Sequence, residues 1–169
     1  MGTDGDAHRG RTLAMMAAVA SEEARAMLRD AMALHSADDI DGALAVAGRA
    51  VTADPAYADA HAYIGNTLVT RRRRFADGLA ALEQAATLQP DDAAVLYTLG
   101  WCREFVAHAL ERPRGPHQAV DADAPSLYDA AREALLGALA LDPEPGLRAD
   151  IRDMLDVVAA ATGEPWEDA

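Results

Sequence analysis

The sequence predicts an all-α protein built from repeated pairs of helices. Alanine, leucine, arginine, aspartate and glutamate dominate, whereas aromatic residues make up only 5% of the chain, and this balance favours helices over strands. Apolar residues recur at intervals of three and four, the spacing of one face of a helix. Small residues recur at a longer interval, since Ala31, Gly65 and Gly100 are separated by 34 and 35 residues. A repeat of this length indicates a stack of helical hairpins.

The N-terminal segment combines a polar start with a long helix. Residues 1 to 10 show no periodicity and are predicted to be mobile. Residues 12 to 36 carry apolar side chains at helical spacing and are predicted to be helical. The stretch from Arg11 to Ala20 imitates a weak signal peptide, but Asp4 and Asp6 precede it and the helical spacing continues through the supposed cleavage point. We therefore predict a cytoplasmic location.

Three later segments end on one pattern, in which a proline follows an alanine by five residues and a small residue by twelve. The three sets are Ala43, Ala50 and Pro55; Gly78, Ala85 and Pro90; and Ala131, Ala138 and Pro143. Two helices approach closely only where side chains are small, so these positions are predicted helix contacts, opposite Gly65 and Gly100. The pattern resembles the tetratricopeptide repeat, a unit of helix A, a turn and helix B. The resemblance covers Ala24 to Pro143 and implies a right-handed α-solenoid of three helical hairpins.

After the first helix, the apolar spacing predicts six more, at about 39 to 53, 56 to 70, 76 to 88, 91 to 111, 126 to 141 and 146 to 161. They form one predicted domain over residues 11 to 162, with repeats at about 24 to 57, 58 to 92 and 93 to 145. The helix at 146 to 161 is predicted to cap the stack. Residues 163 to 169 are predicted to be a flexible tail.

The third repeat contains an insertion at about residues 107 to 125. Pro90 and Pro143 are 53 residues apart, compared with 35 for the preceding pair of prolines. Part of the extra sequence can lengthen helix A of this repeat. The rest contains residues that stop a helix, namely Pro113, Gly115, Pro116 and Pro125. Whether the insertion fills the groove or binds a partner stays open.

The resemblance also implies which positions of each helix A line the concave groove of such a stack. These positions give an apolar and aromatic surface, made of Leu28, Met32, His35, Tyr63, Asn66, Tyr97, Trp101, Glu104 and Phe105. Similar domains that hold an acidic C-terminal peptide carry Lys, Asn and Arg at key groove positions, and only Asn66 fits that set. The predicted ligand is therefore an apolar or helical segment of another protein. The alternative is that the aromatic residues pack within the protein or against a second subunit.

A basic rim is predicted on one edge of an otherwise acidic protein. It consists of Arg71, Arg72, Arg73, Arg74, Arg112 and Arg114. The first four lie in the turn between the helices of the second repeat, and the insertion leaves the same edge of the next repeat. Such a rim can dock an acidic partner or a phosphate group. The alternative is a solvated turn whose arginines stabilise a helix C-terminus.

Several classes of function are disfavoured by the sequence. A net charge of −13 repels nucleic acid, and no stretch approaches the apolar length of a membrane span. Cys102 is the single cysteine, and the five histidines lack metal-ligand spacing. Neither a phosphate-binding loop nor a nucleophile motif occurs. We therefore predict no cofactor, no metal, no nucleic-acid or membrane partner and no enzymatic activity.

Together these observations predict a cytoplasmic adaptor or assembly chaperone that binds another protein in its groove. Two alternatives stay open. One is a scaffold that forms homo-oligomers by stacking its repeats end to end. The other is an accessory subunit of an enzyme complex.

Overall fold

A computed structural model describes residues 3 to 167, and the side chains of Met15, Val19 and residues 21 to 167. Over these residues the chain forms seven α-helices and no strand. The helices are α1 Thr3–Ser36, α2 Ile40–Ala53, α3 Ala58–Arg72, α4 Phe75–Leu88, α5 Ala93–Glu111, α6 Ala124–Ala140 and α7 Pro145–Thr162. The all-α prediction is confirmed, and the bounds of α2 to α7 agree with it to within two residues. None of the described helices is long and apolar enough to cross a membrane.

Helix α1 differs from the prediction at its start. It begins at Thr3, whereas the sequence predicts a mobile segment over residues 1 to 10 and a helix from about residue 12. Residues 1 and 2, and the side chains of residues 3 to 14, lie outside the described part of the structure. The mobility of residues 1 to 10 therefore stays a prediction.

The first of two compact units, Met1–Ala60, is a hairpin of α1 packed against α2. Alanines make the contact, since Ala24, Ala43 and Ala50 are each 0% exposed, as the repeat pattern predicts for Ala43 and Ala50. The hydroxyl of Ser21 donates a hydrogen bond to Oδ2 of Asp54 across the hairpin, at 2.6 Å. Small side chains let the two helix axes come close together.

The second unit, His61–Ala169, holds the larger hydrophobic core. Helix α5 is central to it and packs against α4, α6 and α7. The core includes fully buried side chains from every helix of this unit, among them Val69, Phe75, Leu82, Val106, Leu135, Ile151 and Leu155. Helix α5 therefore lies at the centre of the unit, in contact with α4, α6 and α7.

Glycines set the spacing of two helix pairs in this unit. A Cβ atom added at Gly65 would lie 2.7 Å from the backbone oxygen of Gly78, so α3 and α4 touch backbone to backbone. A Cβ atom added at Gly100 would lie 2.7 Å from Cγ of Leu135 and 3.1 Å from the oxygen of Ala131, on α6. The predicted contacts at these positions are confirmed.

The segment after α7 contacts the rest of the second unit as far as Trp166, and the flexibility of the tail over residues 163 to 169 stays a prediction. Gly163 ends α7 with a positive φ of 75°. Arg132 then binds Glu164, with Nη1 donating to Oε2 at 2.6 Å. The indole of Trp166 packs against the core and donates from Nε1 to Oδ1 of Asp156 at 2.8 Å. These contacts depend on individual side chains, so helical periodicity does not reveal them.

Candidate interaction surface

An aromatic stripe runs along α5, formed by Tyr97, Trp101 and Phe105 at intervals of one turn. All three are partly buried and pack against the core of the second unit. The ring centroids of Trp101 and Phe105 are 6.2 Å apart, and Phe105 meets the buried Phe75 edge to face at 6.3 Å. The inner edge of the stripe is therefore fixed by packing, and its outer edge remains accessible.

The opposite face of α5 packs against α6. Gly100 touches Leu135, and Nη1 of Arg103 donates to the backbone oxygen of Ala130 at 3.1 Å. Leu96 lies 3.6 Å from the Cβ position of Gly137. The aromatic stripe is thus a second apolar face on a helix whose first apolar face is already paired.

Acidic groups border the stripe at its Tyr97 end. Burial raises the pKa of the Tyr97 hydroxyl, and repulsion by Asp150 and Asp153 of α7 raises it further. On α5 itself, burial raises the pKa of Glu104, which the nearby His108 partly opposes. A partner that approaches this end of the stripe meets carboxylates around an aromatic surface.

The other predicted groove residues lie on α3 and α1. On α3, Tyr63 and Asn66 are half-buried; burial raises the pKa of Tyr63, and the hydroxyl of Thr70 donates to the backbone oxygen of Asn66 at 2.8 Å. In the first unit, Met32 is 54% exposed, His35 is half-buried and Leu28 is only 8% exposed. Leu28 is therefore a core residue and is left out of the proposed surface.

The insertion binds the turn between α3 and α4. Its irregular part is short, because α5 continues to Glu111 and Pro125 lies in the first turn of α6. Gln118 bridges the two segments: its N–H donates to the backbone oxygen of Arg73 at 3.0 Å, and its Oε1 accepts from the N–H of Asp77 at 3.1 Å. Nε of Arg73 donates to the oxygen of Pro116 at 3.2 Å.

Phe75 is the apolar centre of this contact. It is 0% exposed, and His117 of the insertion stacks on its ring at a centroid distance of 5.0 Å. The guanidinium carbon of Arg73 lies 5.2 Å from the same ring, within the range of a cation–π contact. His117 and Gln118 were not predicted to dock onto this turn, because no periodic signal in the sequence marks them.

The six arginines of the predicted basic rim have three different environments. Arg71 and Arg72 are exposed in the last turn of α3. Arg74 pairs with Asp77, Nε to Oδ2 at 3.0 Å, and this hydrogen bond lowers the pKa of Asp77 together with one from Gln118. The remaining three line one pocket of about 190 Å³ with side chains of α5, which gives the set Arg73, Phe105, His108, Ala109, Arg112 and Arg114.

A wider depression of about 390 Å³ lies between the α4–α5 turn and the α6–α7 turn. Two of the carboxylates that line it, those of Asp92 and Glu144, cap their own helices. Oδ1 of Asp92 accepts from the N–H of Ala94 at 2.8 Å, and Oε1 of Glu144 accepts from the N–H of Leu147 at 2.9 Å. These two oxygens are therefore already used in helix capping.

Cys102 lies in the core and not on the surface. It is 0% exposed, and burial raises the pKa of its thiol to about 12. A thiol with this pKa is almost entirely protonated at neutral pH and is a weak nucleophile. Among the described residues, no group of three or more His, Cys, Asp or Glu side chains is arranged to hold a metal ion.

The burial of Cys102 gives a direct test of the core. We expect a thiol reagent such as Ellman's reagent to modify the folded protein at pH 7 on the order of 100-fold more slowly than the urea-unfolded protein, because the thiol must first be exposed by unfolding. Free glutathione, measured in both solutions, controls for the effect of urea on the reagent. Equal rates in the folded and unfolded protein would contradict the packing of α5 described above.

Comparison with known proteins gives a result for the fold alone. No family profile matches the sequence, and no curated protein does. Among solved structures, the chain is similar to one described as the first TPR of Spaghetti (RPAP3) bound to HSP90 peptide SRMEEVD, with a TM-score of 0.65 and 15% sequence identity. The match covers 85% of this chain and 95% of that chain. The tetratricopeptide-repeat fold predicted from the repeat spacing is therefore confirmed.

Proposed function

We propose that this protein is a non-catalytic adaptor that binds an apolar or helical segment of another protein along the aromatic stripe of α5. The stripe is the observation that carries the proposal. Tyr97, Trp101 and Phe105 keep an accessible edge, although the opposite face of α5 already has its partner in α6. The core covers the inner edge of these rings, and a partner can cover the edge that stays accessible.

The packing of the stripe suits it for binding. Trp and Tyr are the residue types that most often dominate binding energy at interfaces. The inner edges of Trp101 and Phe105 contact each other and the core, so the rings are held in place before a partner arrives. Little side-chain entropy is then lost on binding, which favours affinity.

The solved domain with the same fold supports a peptide as the class of ligand, since it is bound to the peptide SRMEEVD of HSP90. In the present protein the candidate surface is aromatic, which favours an apolar segment. An assembly-chaperone role, in which such a segment is shielded until its own partner binds it, is the finer form of this proposal. The proposal includes a cytoplasmic location and a function without cofactor or catalysis. The raised pKa of the buried Cys102 thiol fits a protein without thiol chemistry.

The second candidate function is a scaffold that self-associates. Exposed apolar side chains favour it, notably Met32 at 54% and Val157 at 45%. Against it, the exposed residues around Val157 on α7 include Asp150, Asp153 and Asp156, and a polar outer face is typical of a helix that ends a repeat stack. Sedimentation equilibrium over a range of protein concentrations distinguishes a scaffold, which grows, from an adaptor of constant mass.

We expect Trp101→Ala to weaken partner binding by at least about 2 kcal/mol, the effect of removing a central aromatic anchor. The measurement has two steps. A photo-reactive amino acid at position 97 first captures the partner in cells that express the protein natively. The captured segment is then synthesised, and its affinity is measured for wild-type and variant protein by calorimetry.

Leu136→Ala is the matched control, because Leu136 is an apolar side chain on α6, 37% exposed and outside the stripe. It should leave the affinity unchanged. Because Trp101 also packs against the core, thermal unfolding of the free variant must show that it is folded at the temperature of the binding measurement. A folded Trp101→Ala variant that binds the segment as tightly as wild type would exclude the stripe as the binding site.

A further inference from the structure

Three arginines line the pocket of about 190 Å³ at the junction of the insertion with the α3–α4 turn. Arg73 enters it from the turn, and Arg112 and Arg114 enter it from the insertion. None of the residues that line the pocket is acidic, and His108 is also part of its wall. Such a concentration of like charge is unfavourable unless solvent or an anion compensates it.

Several arginines elsewhere in the second unit are paired with carboxylates. Ion pairs join Arg74 with Asp77, Arg103 with Glu83, Arg132 with Glu164 and Arg148 with Asp142. Within the described part of the chain, no carboxylate forms such a pair with Arg112 or Arg114. Carboxylates are abundant, with 28 acidic residues against 15 basic ones. Two arginines without such a pair, Arg112 and Arg114, thus line the same pocket.

Arg73 also has an unmet hydrogen-bonding requirement. Its Nη2 is buried and has no hydrogen-bond partner among the described residues. The rest of the guanidinium is held in place, because Nε donates to Pro116 and the group lies against the ring of Phe75. A buried N–H of a charged group without an acceptor is costly. The fixed guanidinium adds its charge to the pocket that Arg73 lines.

We propose that this pocket binds an oxyanion, either a carboxylate or a phosphate group, carried by the partner segment that lies along the aromatic stripe. The proposal rests on the proposed function. Phe105 belongs to both the stripe and the pocket wall, so a segment on the stripe brings its anionic group to the arginines. Guanidinium groups recognise carboxylate and phosphate through paired, charge-assisted hydrogen bonds.

The charge of the protein limits the ligand to an isolated anionic group. A polyanion would be repelled by the net charge of −13. A single anionic group in the pocket lies close to the arginines and is attracted by them. Its repulsion by the more distant carboxylates of the protein is weakened by salt, because the Debye length is about 8 Å in physiological salt.

The test titrates the isotope-labelled protein with sodium phosphate, and separately with sodium acetate, at an ionic strength held constant with sodium chloride. Arginine side-chain resonances report binding by NMR. Arg112→Gln/Arg114→Gln removes two charges from exposed positions of the pocket. Arg71→Gln/Arg72→Gln removes the same charge from exposed positions on the same edge that do not line it. We expect saturable binding, weakened about tenfold or more by the first pair and less than about twofold by the second.

Saturation by phosphate alone identifies a phosphorylated side chain as the group, and saturation by acetate identifies a carboxylate. NMR chemical-shift changes that rise linearly with the concentration of either anion would contradict the proposed site. Equal weakening of anion binding by both pairs of substitutions would contradict it too. The stripe is tested separately, because anion binding should persist in Trp101→Ala. If Trp101→Ala no longer binds the segment and the wild-type protein binds no anion, the adaptor function is supported and the anion pocket is excluded.

Discussion

Replacing Phe75 with alanine is expected to lower the free energy of unfolding by about 3 to 5 kcal/mol, the usual cost of truncating a buried phenylalanine. Phe75 is 0% exposed and is contacted from three sides, by Phe105 of α5, His117 of the insertion and the guanidinium of Arg73. The insertion covers this ring, so the cavity left by alanine would open beneath it. Urea unfolding followed by circular dichroism measures the effect.

Two further variants separate the size of the ring from the attachment of the insertion. Phe75→Leu keeps much of the buried volume and should cost clearly less than alanine. His117→Ala removes only the stacking partner, and we expect faster amide hydrogen exchange in residues 112 to 123 with little change in global stability. Should Phe75→Ala unfold at the same urea concentration as wild type, the docking of the insertion onto the α3–α4 turn would be wrong.

The repeat architecture was predictable because close packing imposes its own residue types. Ala31, Gly65 and Gly100 recur at the repeat interval, and at both glycines an added Cβ atom would lie within 3 Å of the neighbouring helix. The same regularity placed α2 to α7 within two residues of their observed bounds. Periodic features of a sequence reflect contacts that are repeated, and these contacts make up most of this fold.

The contacts that were not predictable are those made once. Gln118 joins the insertion to the turn through one side-chain and one backbone hydrogen bond, and Arg132 holds Glu164 in the C-terminal segment. Neither contact repeats along the chain. A signal did exist for the C-terminal segment, because Trp166 is a large aromatic residue in an otherwise polar stretch. Its burial against the core explains why it is there.

The candidate surface was predictable in part, for a related reason. Position within a repeat determines the stripe of a helix on which a residue lies, but it does not determine how far neighbouring side chains cover that residue. Leu28 and Met32 were both predicted to line the groove, yet one is 8% exposed and the other 54%. Likewise, the basic rim was predicted as a continuous run, and the structure gives Arg73 a structural role while Arg74 is neutralised by Asp77.

Two glycines in helix interiors should respond in opposite directions to the same substitution. Gly65→Ala is expected to destabilise the protein by about 1 to 3 kcal/mol, the range for overpacking a tight contact. The added Cβ would lie 2.7 Å from the backbone oxygen of Gly78 and 2.6 Å from Cγ of Leu82. A backbone oxygen cannot rotate away, so α3 and α4 must separate.

Gly48→Ala is the matched control. A Cβ atom at Gly48, in the middle of α2, would have no neighbour within 4 Å. Alanine there should stabilise the protein by about 0.5 to 1 kcal/mol, because it restricts the unfolded chain more than glycine does and favours the helix. Urea unfolding of both variants in one buffer gives the two changes. The backbone contact between α3 and α4 predicts opposite signs, and stabilisation by alanine at both positions would contradict that contact.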